Sequence, residues 1–301
     1  MKLIVESSMN QCTEHYTRVG DVTLCWFEWG AAHAAQGTTL LVHATGFHAR
    51  CWDQTVAHLP DRHVIALDMR GHGRSDNQGP ISWDTFGDDL VGFIEALDLR
   101  GLVGAGHSMG GHCLVHAAAR LPDRFERLLL IDPVIMDPAA YADRAAAHTS
   151  FLDAAGLHPV AKRRNHFANA EAMFANFIGR GSFAVWDEAV LHDYCEYGLV
   201  SNPDGEGFVL GCPPSVEAAI YMGSSDGDIY AELDRVTMPV TVLRARREEG
   251  DRTTMDFSLS PTFPGLATMM PNARDVYLPE LTHFIPMQAP ALTAEYLRGE
   301  R

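Results

Sequence analysis

Lysine is almost missing from this chain. Of 23 basic residues only Lys2 and Lys162 are lysines, and 39 acidic residues give 23 − 39 = −16 with histidine neutral. Neither lysine sits at an apolar strand end, where desolvation would lower its pKa, so Schiff-base and pyridoxal chemistry are argued against. Excess negative charge repels a phosphate backbone or an anionic membrane surface, which removes nucleic acid as an expected partner. The six cysteines, Cys12, Cys25, Cys51, Cys113, Cys195 and Cys212, make no CxxC pair and no cluster. A disulfide framework and a zinc knuckle therefore have no support, and free thiols in a reducing compartment are expected. No long hydrophobic run opens the chain: MKLIVESSMNQ turns polar after three strongly apolar residues, too few for a signal peptide or a membrane span. The reading is a soluble, cytoplasmic protein with no membrane partner. No G-x-G-x-x-G with an acidic partner follows the first strand, so no dinucleotide cofactor is expected.

What is present is alternation. Hydrophobic residues at 47% and charged residues at 21% are globular proportions, which sets disorder aside, and 301 residues suit one α/β domain with an insert. Short apolar runs recur at 22–29, 38–44, 63–69, 102–108, 127–133, 239–245 and 275–280, several almost wholly apolar, as in parallel strands buried on both faces. Helical patterns lie between them: 82–99, opened by the N-cap candidate Ser82, and 110–121, stopped by Pro122. The pattern predicts a mostly parallel, doubly wound α/β sheet. The alternation fails between 134 and 236, where the runs YADRAAAHTSFLDAA, RRNHFANAEAMFANFIG, WDEAVLHDYCEYGLV and SVEAAIYMGSSDGDIYAEL read as helices. The expected organisation is a core of 1–133 and 237–301 with 134–236 inserted as a helical cap over the strand ends. Within the cap, 197–200, the Pro203-Asp204-Gly205 turn and Pro213-Pro214 are expected above the site, with Tyr197 and Leu199 shaping its pocket.

The chemistry is carried by Gly106-His107-Ser108-Met109-Gly110, a G-x-S-x-G stretch after an apolar strand and before an Ala-rich helix. A nucleophile on a strained strand-to-helix turn needs small neighbours on both sides, and the helix N-terminus offers N–H groups to a developing oxyanion. A rival lies close by. His112 and His116 are four apart, the spacing of two zinc ligands on one helix face, but Cys113 stands where a zincin has Glu, so no metal is expected.

Three further stretches complete a pattern that resembles the α/β-hydrolase superfamily over nearly the whole chain outside the cap: His43-Ala44-Thr45-Gly46-Phe47, the turn Asp68 to Asp76 reading D-x-R-G-x-G-x-S-D, and Thr282-His283-Phe284. Ala44 and Thr282 replace common glycines. The resemblance implies Ser108 as nucleophile, His283 as general base, and an oxyanion hole from the backbone N–H groups of Thr45 and Met109. His107 is read as a packing residue of the elbow, and the other histidines as surface or core.

Three positions compete for the acid that orients His283. Glu248 follows the strand 239–245, Asp256 lies 27 residues before His283, and Asp132 lies 132 − 108 = 24 residues after the nucleophile, a place some dehalogenases of the superfamily use. Asp132 is favoured because it ends a rigid buried strand. A serine at the elbow, where dehalogenases and epoxide hydrolases carry Asp, argues for attack on an acyl carbon. The leading expectation is therefore a serine carboxylesterase acting on a small to medium hydrophobic ester. A carbon–carbon hydrolase is kept as an alternative, with Arg163, Arg164 and Arg180 as candidates to hold a dienoate carboxylate, and so is a ligand receptor with little turnover.

Overall fold

The computed structural model describes residues 12–142, 152, 156–224, 226–247 and 257–301. Within them the strands are, in chain order, β1 (Thr13–Val19), β2 (Val22–Trp29), β3 (Thr38–Val42), β4 (His63–Leu67), β5 (Leu102–His107), β6 (Phe125–Ile131), β7 (His166–Phe167), β8 (Leu199–Ser201), β9 (Phe208–Leu210), β10 (Val240–Ala245) and β11 (Ala273–Leu278). Eight of them form one sheet in the order β1-β2-β4-β3-β5-β6-β10-β11. The first two pairings are antiparallel and all later ones parallel.

The near-continuous apolar runs of the parallel strands are explained by burial on both faces. Alternate residues Leu40, Val42, Ile65, Leu67, Leu128 and Leu130 meet the helices Trp83–Ala96 and Met109–Arg120 on one side. Their neighbours Leu41, Val64, Ala66, Leu129 and Ile131 join Ala294 and Leu297 of the helix Pro290–Arg298 on the other. Because side chains alternate faces along a strand, a one-residue slip would exchange the two sets. Truncating one such Leu to Ala costs about 2–5 kcal/mol. Ser82 caps its helix by accepting from Thr85 N–H at 3.2 Å.

Strand β1 is absent from the sequence reading. TEHYTRV has no apolar run because it is an edge strand, with Tyr16 55% exposed, and it is held by the hairpin to β2 and by His15 stacked on Trp26.

The stretch 134–236 is not purely helical, which corrects the expectation. It carries the helices Ala170–Phe177, Glu188–Tyr197 and Pro214–Met222, and β7, β9 and β8 pair antiparallel as a small second sheet. The expected helix over 186–200 stops at Tyr197, and its last residues enter a hairpin closed by Asn202 N–H to Gly207 O at 3.0 Å. The run from 163 becomes helical only at Ala170, once Asn169 accepts from Ala172 N–H. Strands of two or three residues leave no period to read. The expected helix over 141–155 falls almost wholly outside the described residues. A third apolar cluster joins this stretch to the sheet, with Trp186, Leu191 and Tyr194 packed against Phe47 and Phe284.

Candidate active site

At the end of β5 the chain turns sharply into the helix Met109–Arg120, and Ser108 sits on that turn with φ 57° and ψ −117°. This left-handed region is costly for a residue with a Cβ, about 1–3 kcal/mol, and it holds only because the surroundings leave no other path. Ser108 N–H donates to Ile131 O at 3.0 Å, and Ser108 O accepts from Gly111 and Val134 N–H, both at 3.1 Å. The flanking glycines follow from close approach. A Cβ on Gly106 would stand 2.3 Å from Gly110 O, and one on Gly110 would stand 2.3 Å from Val42 O.

Three groups far apart in the chain converge here. His283 Nδ1 lies 2.6 Å from Asp132 Oδ2, and His283 Nε2 lies 3.0 Å from Ser108 Oγ. With Nδ1–H donated to the carboxylate, Nε2 is left to accept the serine hydroxyl proton. Asp132 is fully buried just past β6, with φ 44°. Its Oδ1 accepts from Ala245 N–H at 3.0 Å, from Ser260 Oγ at 2.5 Å and from Thr262 Oγ1 at 3.3 Å. Those donors compensate the burial of a charge that would otherwise be expensive. Glu248 and Asp256, the competing acids, lie outside the described residues.

The two oxyanion-hole candidates, Thr45 and Met109, both lie close to Ser108. Met109 is the first helical residue, so its N–H has no intrahelical acceptor, and Thr45 lines the cavity together with Ser108. The loop bearing Thr45 is fixed by two histidines to which the sequence reading gave no role. His43 donates Nδ1–H to Ala44 O and accepts Met69 N–H at Nε2. His72 donates Nδ1–H to Arg70 O and accepts Gly46 N–H at Nε2. Each ring needs one protonated and one bare nitrogen, so each works only when neutral. Burial supplies this, holding His43 well below its ordinary pKa and His72 down at about 4. Asp68, pushed up to about 6 by burial, ties the same loops together through Ala49 and Arg74 N–H. Arg70 grips Asp89 with two bonds of 2.7 and 2.8 Å.

His107 is more than packing. Its Nε2–H donates to His283 O at 2.8 Å, which fixes the backbone of the residue facing Ser108. The polar residue inside an apolar strand end was the available signal. The His112 and His116 pair is engaged elsewhere: His112 Nδ1 meets Val134 O at 3.1 Å, and His116 lies between Asp88 and Glu232.

Ser108 and His283 open onto a cavity of about 630 Å³. Its wall is largely apolar and rich in aromatic rings, with Phe47, Trp83, Phe177, Phe183, Trp186, Tyr194, Tyr221, Phe257 and Phe284, and the polar exceptions include Arg163 and Glu217. Tyr197 and Leu199 do not line it, which corrects the expected pocket. Tyr197 lies under the Arg50 guanidinium at 3.7 Å, and Leu199 is buried within the third cluster. Of the three arginines considered as carboxylate anchors only Arg163 lines the cavity; Arg164 packs over Phe167 and donates to His166 O.

The alpha/beta hydrolase family model matches residues 39–296. Lipase LipV of Mycobacterium tuberculosis is 30% identical over 213 residues, 69% of this chain and 73% of that protein. 3-Oxoadipate enol-lactonase 2 of Acinetobacter baylyi is 26% identical over 230 residues, 76% of this chain and 77% of that one. Among solved structures, E-2-(acetamidomethylene)succinate hydrolase superposes with a TM-score of 0.73 at 22% identity, covering 96% of this chain and 98% of that one. At that identity the likeness speaks to the fold alone.

Proposed function

The chain belongs to the alpha/beta hydrolase family, and from that premise we propose that it is a serine hydrolase cleaving a small to medium hydrophobic carboxylic ester. One observation carries the reading: the unbroken hydrogen-bonded run from Ser108 Oγ through His283 to Asp132, set at the wall of a mostly apolar cavity. Ser108 Oγ attacks the ester carbonyl as His283 Nε2 takes its proton, and Asp132 holds the imidazole tautomer and stabilises the imidazolium. Thr45 and Met109 N–H receive the oxyanion, which strengthens these bonds as charge develops. His283 then returns the proton to the departing alcohol, and water takes its place to free the acid. The 134–236 stretch serves as the cap that shapes the acyl pocket, and the protein works in the cytoplasm on small molecules, without metal or cofactor.

A lipase and an enol-lactonase among the relatives support ester or lactone substrates. The carbon–carbon alternative loses ground because Arg163, the one arginine lining the cavity among the described residues, is already paired with Glu217. The test is labelling by a fluorophosphonate, mapped by mass, together with turnover of a nitrophenyl ester series. Ser108 should carry the label, and Ser108→Ala should lose about 10⁴ to 10⁶ in kcat with an unchanged melting curve. A variant retaining more than about a tenth of the rate would remove Ser108 from the role, and a single stoichiometric burst without turnover would favour the receptor reading.

A further inference from the structure

An ion pair interrupts the aromatic wall of the cavity. Arg163 Nη1 donates to Glu217 Oε2 at 2.6 Å, and Nη2 donates to the Tyr194 hydroxyl at 3.0 Å. Both partners are largely withdrawn from water, with the Glu217 side chain 6% and that of Arg163 22% exposed. Glu217 also leans on the loop of the reacting centre: a Cβ on Gly46 would stand 2.5 Å from its Oε1, and Gly46 directly follows Thr45. The pair therefore adjoins the place where the ester carbonyl would sit.

Stability does not account for such a pair. Taking each ion out of water costs several kcal/mol, and apolar side chains of similar volume are commonly as good or better. What the pair presents to the cavity is a desolvated acceptor beside desolvated donors, with no net charge. A carboxylate entering here gains Arg163 but meets Glu217, and an ammonium meets the reverse. A bare alkyl group leaves both polar groups without a ligand bond. A hydroxyl accepts from Arg163 and donates to Glu217 at once, and it brings no charge to desolvate.

We propose that Arg163 and Glu217, with the Tyr194 hydroxyl bonded to the guanidinium, form a subsite for a hydroxyl group carried close to the ester carbonyl, so that hydroxyacyl esters are preferred over plain and carboxylated ones. This rests on the serine-hydrolase reading above. A site built to bind a hydroxyl discriminates strongly against the analogue lacking it, because its own polar groups are then left unmatched.

The experiment compares kcat/KM of the intact protein for 4-nitrophenyl butyrate, 4-nitrophenyl 3-hydroxybutyrate and 4-nitrophenyl hemisuccinate. The hydroxylated ester should exceed butyrate by about 10- to 100-fold, and hemisuccinate should fall below both. The isosteric Glu217→Gln should lower the hydroxyl preference to within about threefold of unity and raise hemisuccinate about tenfold, since the guanidinium then faces no competing carboxylate. If that variant does not fold, the wild-type ratios alone decide. Equal rates for the hydroxylated and plain esters, or a preference for hemisuccinate, overturn the subsite while leaving the hydrolase reading intact. Inertness toward every ester, with no phosphonate label on Ser108, takes down the hydrolase reading and the subsite with it.

Discussion

Glu217 on the cavity wall and Asp132 behind the cavity-lining His283 are both buried acids, yet the two regions that hold them do so by different means. Asp132, at the end of a sheet strand, receives a backbone N–H from the next strand, two hydroxyls and His283. Glu217, on a helix of the 134–236 stretch, is held by the guanidinium of Arg163. Sheet hydrogen bonding fixes the first region from several directions, so a single substitution there should leave the frame standing. The second is held by side chains, so one substitution can change what it accepts. On the function proposed above, the difference amounts to a division of labour, with the strand ends setting reactivity and the inserted stretch setting choice.

After the loss expected for Ser108→Ala, the largest effect tests the strand-end side. Asp132→Asn should lower kcat by about 10² to 10⁴, because an amide neither stabilises the imidazolium nor holds its tautomer. Purified Glu248→Gln and Asp256→Asn should remain within about tenfold of wild type in the same assay. A collapse in either, with Asp132→Asn active, would reassign the acid.

A second test asks whether the strand-end region depends on neutral histidines. Burial holds His72 and His112 at about 4 and His48 at about 3, below the ordinary 6.5. Between those values the unfolded chain binds more protons than the folded one, so stability is intact above pH 6.5 and lost as pH falls toward 4. Asp68, raised to about 6 by burial, works in the opposite sense, because its folded form takes up the extra proton between about pH 4 and 6. Three histidines outweigh it, and the unfolding free energy should be lower at pH 5 than at pH 7 by roughly 2–4 kcal/mol. Urea titrations at the two values measure this; an equal or higher value at pH 5 would show that the rings are not held neutral.

The smallest effect sharpens the other side. Phe183 lines the cavity and stacks on Phe177 at 4.4 Å, so Phe183→Ala should shift relative kcat/KM toward longer acyl chains by about three- to tenfold. Leu199, buried outside the cavity wall, supplies the contrast: Leu199→Ala should cost about 2–3 kcal/mol of stability and leave the chain-length profile unchanged. Reversed outcomes would mean that the hairpin, and not the aromatic wall, contacts the acyl chain.

Much of the strand-end site is legible in the sequence because its parts are local. Strand β5, the glycines around Ser108 and the helix behind it are consecutive, and each is forced by sterics that one residue type satisfies. The long buried strands announce themselves by apolar runs, and β2 falls on the residues expected of it. The edge strand β1 and the two- and three-residue strands of the insert do not, since exposure removes the apolar signal and brevity removes the period.

By itself, then, the sequence determined the long buried strands of the sheet, the strained turn at Ser108 and the loop of His283 after the last strand, because backbone sterics and face-by-face burial act over a few neighbouring residues. Tertiary structure alone decided that Asp132 Oδ2 lies 2.6 Å from His283 across 151 residues, that His72 grips Gly46, and that Arg163 meets Glu217 at the cavity wall. Those contacts are set by strand order and by how the insert folds back, and hydrogen bonds between distant segments leave no period or spacing in the chain that makes them.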